Sequence, residues 1–181
     1  KTLKTGMINE NYYSKNNNYL LNNIEILKKS ELNYFLKPYM LSSTHNDIIL
    51  GNKTITDLKY SLNYRNYIYV LEGEIEMKLI PPKYSKFLLE NTECKSPIDL
   101  WNPLSQHKYI LNDIETINVT IKKNTLLYIP TYWWYSIRFN KLSIASFFSY
   151  RTFMNTIAIS PQLLLKFIQK QNITYKIESN S

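Results

Sequence analysis

The sequence predicts a mainly β protein, an antiparallel sandwich or barrel with helix confined to its two ends. Three observations carry this. Short runs alternate apolar with polar or charged residues at strand period, as in Ile75-Glu76-Met77-Lys78-Leu79-Ile80 and Ile117-Asn118-Val119-Thr120-Ile121. Residues that end strands or make turns separate the runs: Gly51, Glu72-Gly73, Pro81-Pro82, Lys122-Lys123-Asn124 and Pro130. Helical periodicity occurs only near the two termini.

Taken in order, residues 1 to about 29 are rich in Asn and Tyr, and Asn16-Asn17-Asn18 favours loop. Leu20, Leu21, Ile24 and Leu27 have the spacing of a short amphipathic helix. Ser30 reads as the N-cap of a second short helix, Glu31 to Leu36, stopped before Pro38. Near Asp47 the texture changes, and Ile48-Ile49-Leu50 ends at Gly51. Strands are expected over Tyr67–Leu71, Ile75–Ile80, Ile117–Ile121, Leu126–Ile129, Trp134–Phe139 and Ile144–Tyr150. A connection from Lys83 to Leu111, with Pro97 and Pro103, is long enough to be functional or locally structured. Ser160-Pro161 reads as the start of a terminal helix reaching Gln171, docked on the sheet through Leu164, Phe167 and Ile168. Trp133 and Trp134 should point to opposite faces of one strand. The organisation is an N-terminal extension over 1–45, a β domain over 46–152, and a helix with tail over 153–181.

At 181 residues the chain is long enough to bury a core unaided. Its 3 Gly nearly exclude glycine-rich phosphate loops. Net charge is 22 − 14 = +8, but the basic residues stand singly or in pairs. That pattern describes a solvated surface with weak attraction to polyanions and implies no nucleic-acid partner. A single cysteine, Cys94, excludes an intrachain disulfide and a thiolate cluster. His45 and His107 lie far apart in polar surroundings and read as exposed imidazoles. Glu72, Glu74 and Glu76 read as a solvated face beside a turn. No run approaches the ~18 apolar residues of a membrane span. The chain opens on Lys1 rather than Met, which reads as a fragment or processed product with room for a membrane anchor before it. Three sequons occur, at Asn52, Asn118 and Asn172. No nucleophile elbow, HExxH, CxxC or Walker pattern is present.

The run Tyr128-Ile129-Pro130-Thr131-Tyr132-Trp133-Trp134-Tyr135 resembles the second metal-binding strand of the jumonji-C and cupin-like dioxygenases of the asparaginyl-hydroxylase type. The family pattern ends in an iron-ligating His where this chain has Tyr135. The resemblance extends over about 100 residues, from Gly51 to Arg151. It takes in Thr56-Asp57-Leu58-Lys59-Tyr60-Ser61, Asn66-Tyr67-Ile68, Gly73, Leu79-Ile80-Pro81-Pro82 and Ile98-Asp99-Leu100-Trp101-Asn102-Pro103. It implies a double-stranded β-helix, the jelly-roll or cupin-like barrel. Asn63 to Asn66, Lys78 to Lys83, Trp133 to Ile137 and Tyr150 to Asn155 are similar to runs in cupin-like proteins encoded by large DNA viruses.

The resemblance also assigns the positions where chemistry would sit. A facial Fe(II) triad needs two imidazoles and a carboxylate. Aligned on Thr56, the first two ligands fall on Lys59 and Ser61; aligned on Asn66, they fall on Tyr60 and Leu62. The third is Tyr135. The basic residue that anchors 2-oxoglutarate falls on Ile75. The expectation is therefore a non-catalytic domain with no metal and no cofactor, in a structural or binding role with protein partners, at a particle or membrane surface. Two alternatives stand. One is a hydroxylase with atypical ligands from His45, His107 and Asp99. The other is a barrel that binds a small anion or sugar in a pocket formed by Thr56, Lys59, Tyr60, Asn66 and Tyr135. Lys59 is expected to point inward, either held by the hydroxyls of Ser61 and Tyr135 or reaching the barrel mouth, with Tyr rings filling the cavity.

Overall fold

The structure, a computed structural model, describes residues 11–17, 36–91, 93–162, 164 and 168. Its strands in chain order are β1 (Tyr12–Ser14), β2 (Leu41–Asn52), β3 (Thr54–Ile55), β4 (Leu58–Tyr60), β5 (Arg65–Glu72), β6 (Glu74–Ile80), β7 (Lys95–Ser96), β8 (Ile117–Lys122), β9 (Leu126–Ile129), β10 (Trp134–Phe139) and β11 (Ser143–Thr152). All the pairings are antiparallel. One sheet runs β1-β2-β11-β5-β9, and the other runs β7-β4-β10-β6-β8 with β3 also on β10. This is the mainly β jelly-roll arrangement expected.

The period-2 pattern explains the core. Ile75, Met77 and Leu79 of β6, and Tyr135, Ile137 and Phe139 of β10, turn inward. They meet Ile49, Ile68, Val70, Ile129 and Ala145 from the facing sheet. The opposite face of β10 and β6 is covered at its Trp134–Ile80 end, while Glu76 and Arg138 at the other end stay partly exposed. Trp134 and Ile80 there pack with Leu58 and with Leu88, Ile98, Leu100 and Ile114 from the long connection. That connection is locally structured, with a 3₁₀ turn over Pro82–Phe87, β7, and helix α1 (Ser105–Asn112). Trp133 packs on the inner cluster while Trp134 is fully buried in the outer one, so the two indoles do diverge.

Two glycines are required where they stand. Gly73 has φ +78° in the β5–β6 turn, a conformation L side chains rarely adopt. A Cβ on Gly51 would enter the Phe139 ring.

β2 starts at Leu41, before the boundary at residue 45 read from the sequence. Its polar first half is strand because β11 pairs with it continuously, from Ser143↔Gly51 to Arg151↔Ser43. β1 lies within the presumed extension and adds to the same sheet through Tyr13↔Gly51. The two helices expected over Leu20–Leu27 and Glu31–Leu36 lie almost wholly outside the described residues.

The terminal helix is present but begins earlier than expected. Helix α2 occupies residues 153–162 and includes residues 164 and 168. Thr152 caps it, its Oγ1 accepting from the Asn155 amide at 3.1 Å. Ser160 is therefore not the N-cap. Pro161 sits inside the helix and cannot donate to the Ile157 carbonyl, and the Ser160 hydroxyl donates to that carbonyl instead at 2.8 Å. The docking face differs too. Ile159 is fully buried beside Leu62 and Cys94, whereas Leu164 and Ile168 are exposed. Phe167 lies outside the described residues. Among those described, no helix is long and apolar enough to cross a membrane.

Candidate functional site

Lys59 and Tyr135 are Cα partners on β4 and β10, and Tyr60 pairs with Trp134. Directly paired residues share a face, and successive residues alternate. Lys59 and Tyr135 therefore face into the barrel, with the Lys59 Nζ 5.6 Å from the phenol centroid. Tyr60 and Trp134 face outward, with their rings 4.7 Å apart at 61°. The Tyr60 hydroxyl donates to Glu90. Of the two positions in the Thr56 alignment only Lys59 lies on the inward face, and the alternative positions Tyr60 and Leu62 lie elsewhere.

β10 is fixed from behind. Thr56 Oγ1 accepts from the Ile137 amide at 2.9 Å, and the Thr56 carbonyl accepts from the Ser136 hydroxyl at 2.7 Å. Ser136 Oγ in turn accepts from the Trp101 indole at 2.9 Å. That indole also meets two cations, Lys78 Nζ 4.6 Å from its centroid and Arg138 Cζ 4.2 Å away. Arg138 pairs with Glu76. These contacts hold Tyr135 in place without taking part in the cavity.

The cavity measures about 220 Å³ and opens between the sheets at the β1–β2 end. One wall is apolar: Ile49, Ile137, Phe147 and the Tyr135 ring, which stacks on Phe147 at 5.9 Å. The other wall is polar: Tyr13, Lys15, Asn16, His45, Asp47 and Lys59. The expectation that Tyr rings fill this space is corrected. Tyr60 points outward and Tyr135 lies against Phe147, so neither closes the volume beside Lys59.

The N-terminal segment forms part of the polar wall because Asp47 clamps it. Asp47 Oδ2 accepts from the Asn16 amide at 2.9 Å and Oδ1 accepts from the Asn17 amide at 2.8 Å. The Asn17 side chain then donates to the Ile48 carbonyl at 3.0 Å and to Ser14 Oγ at 2.8 Å. With its carboxylate so engaged, Asp47 offers little to Lys59. Among the described residues the Lys59 ammonium makes no hydrogen bond and no ion pair. Burial holds its pKa below the ordinary lysine value, and Lys15 and Lys95 add to the shift against the opposing pull of Asp57 and Asp47. Burial likewise raises the Tyr135 phenol, with Tyr13 adding to it. The Tyr13 phenol is raised by burial and then by Asp47.

The other sequence-read positions lie apart from this cavity. Ser61 is in the β4–β5 turn, its Oγ accepting from the Asn63 amide at 3.2 Å, so it does not hold Lys59. Thr56 is buried as the stitch described above. Asn66 is fully buried on β5, donating to the Asn63 and Ile129 carbonyls at 3.2 and 3.4 Å. Ile75 is fully buried in the core. His107 is not exposed but buried on α1, where its Nδ1 has no partner among the described residues. His45 is exposed, as read from the sequence, and sits on β2 at the cavity wall. Asp99 caps a turn, its Oδ1 accepting from the Trp101 and Asn102 amides at 2.7 and 3.1 Å. Among the described residues no group of three His, Cys, Asp or Glu side chains could hold a metal ion. Tyr13, Lys15, Asn16 and Asp47 went unread from sequence. The β-type pair Tyr12-Tyr13 and the acid heading Ile48-Ile49-Leu50 were the available signals.

Compared with known proteins, residues 2–156 match the model of the cupin-like domain. The chain is also 30% identical over 119 residues to a MATH and LRR domain-containing protein of Plasmodium falciparum (isolate 3D7). That match covers 62% of this chain and 1% of the much longer relative.

Proposed function

Given that the chain belongs to the cupin-like domain family, we propose that it is a non-catalytic barrel that binds a small anionic molecule between its sheets. The observation that carries this reading is the Lys59 ammonium, which lines an open cavity with no acceptor among the described residues. A half-buried cation without a partner carries a desolvation cost, and an anion would relieve it. Lys15 places a second positive charge on the same wall. At about 220 Å³ the cavity lies below the ~300–1,000 Å³ of drug-sized sites, so the ligand has only a few non-hydrogen atoms.

The residues at the family's iron positions do not fit iron. An ammonium has no lone pair, the Ser61 hydroxyl is engaged in a turn, and the raised Tyr135 pKa keeps the phenol protonated. Ile75 supplies no charge for a 2-oxo acid co-substrate. Exposed Tyr39, Met40, Phe153, Met154 and Ile157 support protein partners as well, with the Phe153 amide bonded to the Met40 carbonyl at 3.0 Å. The four runs similar to viral cupin-like proteins support a place on a particle or membrane surface.

The test is calorimetric titration of the full chain with lactate and with inorganic phosphate. Elemental analysis and a 2-oxoglutarate turnover assay run alongside. Saturable anion binding that is lost in Lys59→Ala, without turnover, supports the reading. Stoichiometric iron with 2-oxoglutarate consumption would establish the hydroxylase instead.

A further inference from the structure

We infer that Lys59 is a nucleophilic amine, and that the cavity captures small aldehydes or ketones bearing an anionic group as a reversible imine on its Nζ. This rests on the anion-binding reading above and adds a covalent step to it.

A lysine becomes a nucleophile when it is desolvated in an apolar pocket or set next to another cation. Both conditions meet at Lys59. Its Nζ lies over the Tyr135 ring at 5.6 Å, in a cavity whose far wall is Ile49, Ile137 and Phe147. Lys15 lines the same cavity. The one carboxylate lining the cavity, Asp47, is not bonded to the ammonium, and its two oxygens accept main-chain amides instead. The other lysines with described partners differ. Lys83, Lys95, Lys123 and Lys141 each lie on a glutamate. Lys78 is the instructive contrast. It too is partly desolvated, but its ammonium donates to the Leu100 carbonyl at 2.8 Å and covers the Trp101 ring outside the barrel. The charged and titratable groups around Lys59 are Lys15, Asp47, Asp57 and Lys95, with His45, Tyr13 and Tyr135 on the walls. Burial, the largest influence, favours the neutral amine that the reaction needs.

The step balances without an external redox partner. The neutral Lys59 nitrogen adds to the carbonyl carbon, its proton passes to the carbonyl oxygen, and the resulting carbinolamine loses water to give the imine. Lys15 pairs with the ligand's anionic group. The protonated Tyr135 phenol is a donor on the same wall. Water reverses the reaction and releases the ligand.

The experiment uses the full chain at neutral pH with pyruvate, the smallest ketone that carries a carboxylate, and sodium cyanoborohydride. The reductant delivers hydride to the imine and fixes it as a secondary amine. Peptide mapping by mass spectrometry then locates the adduct. The expected result is modification at Lys59 ahead of every other lysine, Lys78 included, and its loss in Lys59→Arg. Modification spread evenly over the lysines, or faster at Lys78 or Lys95 than at Lys59, overturns the proposal. Mapping on the unmodified chain decides this even if the variant fails to fold. Lactate, which has no carbonyl, separates the two readings. Lactate binding without a pyruvate adduct sinks the imine and leaves the anion site standing. Absence of both sinks the two together.

Discussion

Lys59 and Tyr135 face each other across the β4–β10 ladder, with the ammonium 5.6 Å from the phenol ring and no carboxylate among the described residues bonded to it. A charge kept in this position works against folding. Replacing Lys59 with Met should stabilise the protein by about 1 kcal/mol, the low end of the cost of an unsatisfied buried group, because the residue is half-buried on an open cavity. The pH dependence carries a definite sign. The folded-state pKa of Lys59 lies below the ordinary 10.5. Between the two values the unfolded chain binds more protons, so the Lys59 contribution to stability rises with pH across that window. Below the folded pKa the full penalty applies. Urea denaturation of both proteins at several pH values should give a difference that shrinks as pH rises towards 10.5. A constant difference would contradict the shift.

Trp134 should dominate the stability of the covering layer. It is fully buried, its indole N–H donates to Ser85 Oγ at 2.8 Å, and Tyr60 meets its edge. Trp134→Ala should cost about 3–5 kcal/mol. Trp133→Ala should cost clearly less, because that ring is only partly buried. Equal losses in guanidinium denaturation would place the two indoles in equivalent environments and contradict the alternation.

Asp47→Ala should release the N-terminal segment. Two main-chain amides lose a charged acceptor at once, and hydrogen bonds to charged groups contribute about 1.5–3 kcal/mol each. Limited proteolysis should then cleave between Asn11 and Asn17 at a protease dose that spares the parent. Asp47→Asn, which keeps one acceptor oxygen, should fall between them. Unchanged digestion in Asp47→Ala would show that the segment is held by something else.

Gly51→Ala drives a methyl group into the Phe139 ring. Overpacking of this kind costs roughly 1–3 kcal/mol. Adding Phe139→Leu should recover part of the loss, and a fully additive double mutant would rule out direct contact between the two positions.

The strands were legible because their alternation reports a buried and an unburied face directly, as in Ile75–Ile80 and Ile117–Ile121. The first half of β2 was not, since Ser42, Ser43, Thr44 and Asn46 become strand only through β11. The helix start was misread for a similar reason: Ser160-Pro161 spells a beginning, and here the serine replaces the donor that the proline lacks. At the site, Lys59 and Tyr135 were reachable through the resemblance, because ladder pairing follows from strand order. Tyr13 and Lys15 were not, because their place depends on Asp47, about thirty residues away, accepting two amides that no local pattern marks.

The short edge strand β1 has a consequence for access. Three residues paired on one side only among the described residues, tied to β2 beyond the ladder by Asp47 and by Asn17, form the kind of unit that opens at a small fraction of the global unfolding free energy. Tyr13, Lys15 and Asn16 travel with it. Part of the polar wall is therefore detachable, and a guest wider than the mouth can enter by unzipping β1 while both sheets stay folded. A shortened chain beginning after Asn17 would keep the barrel but hold an open trough in place of a chamber.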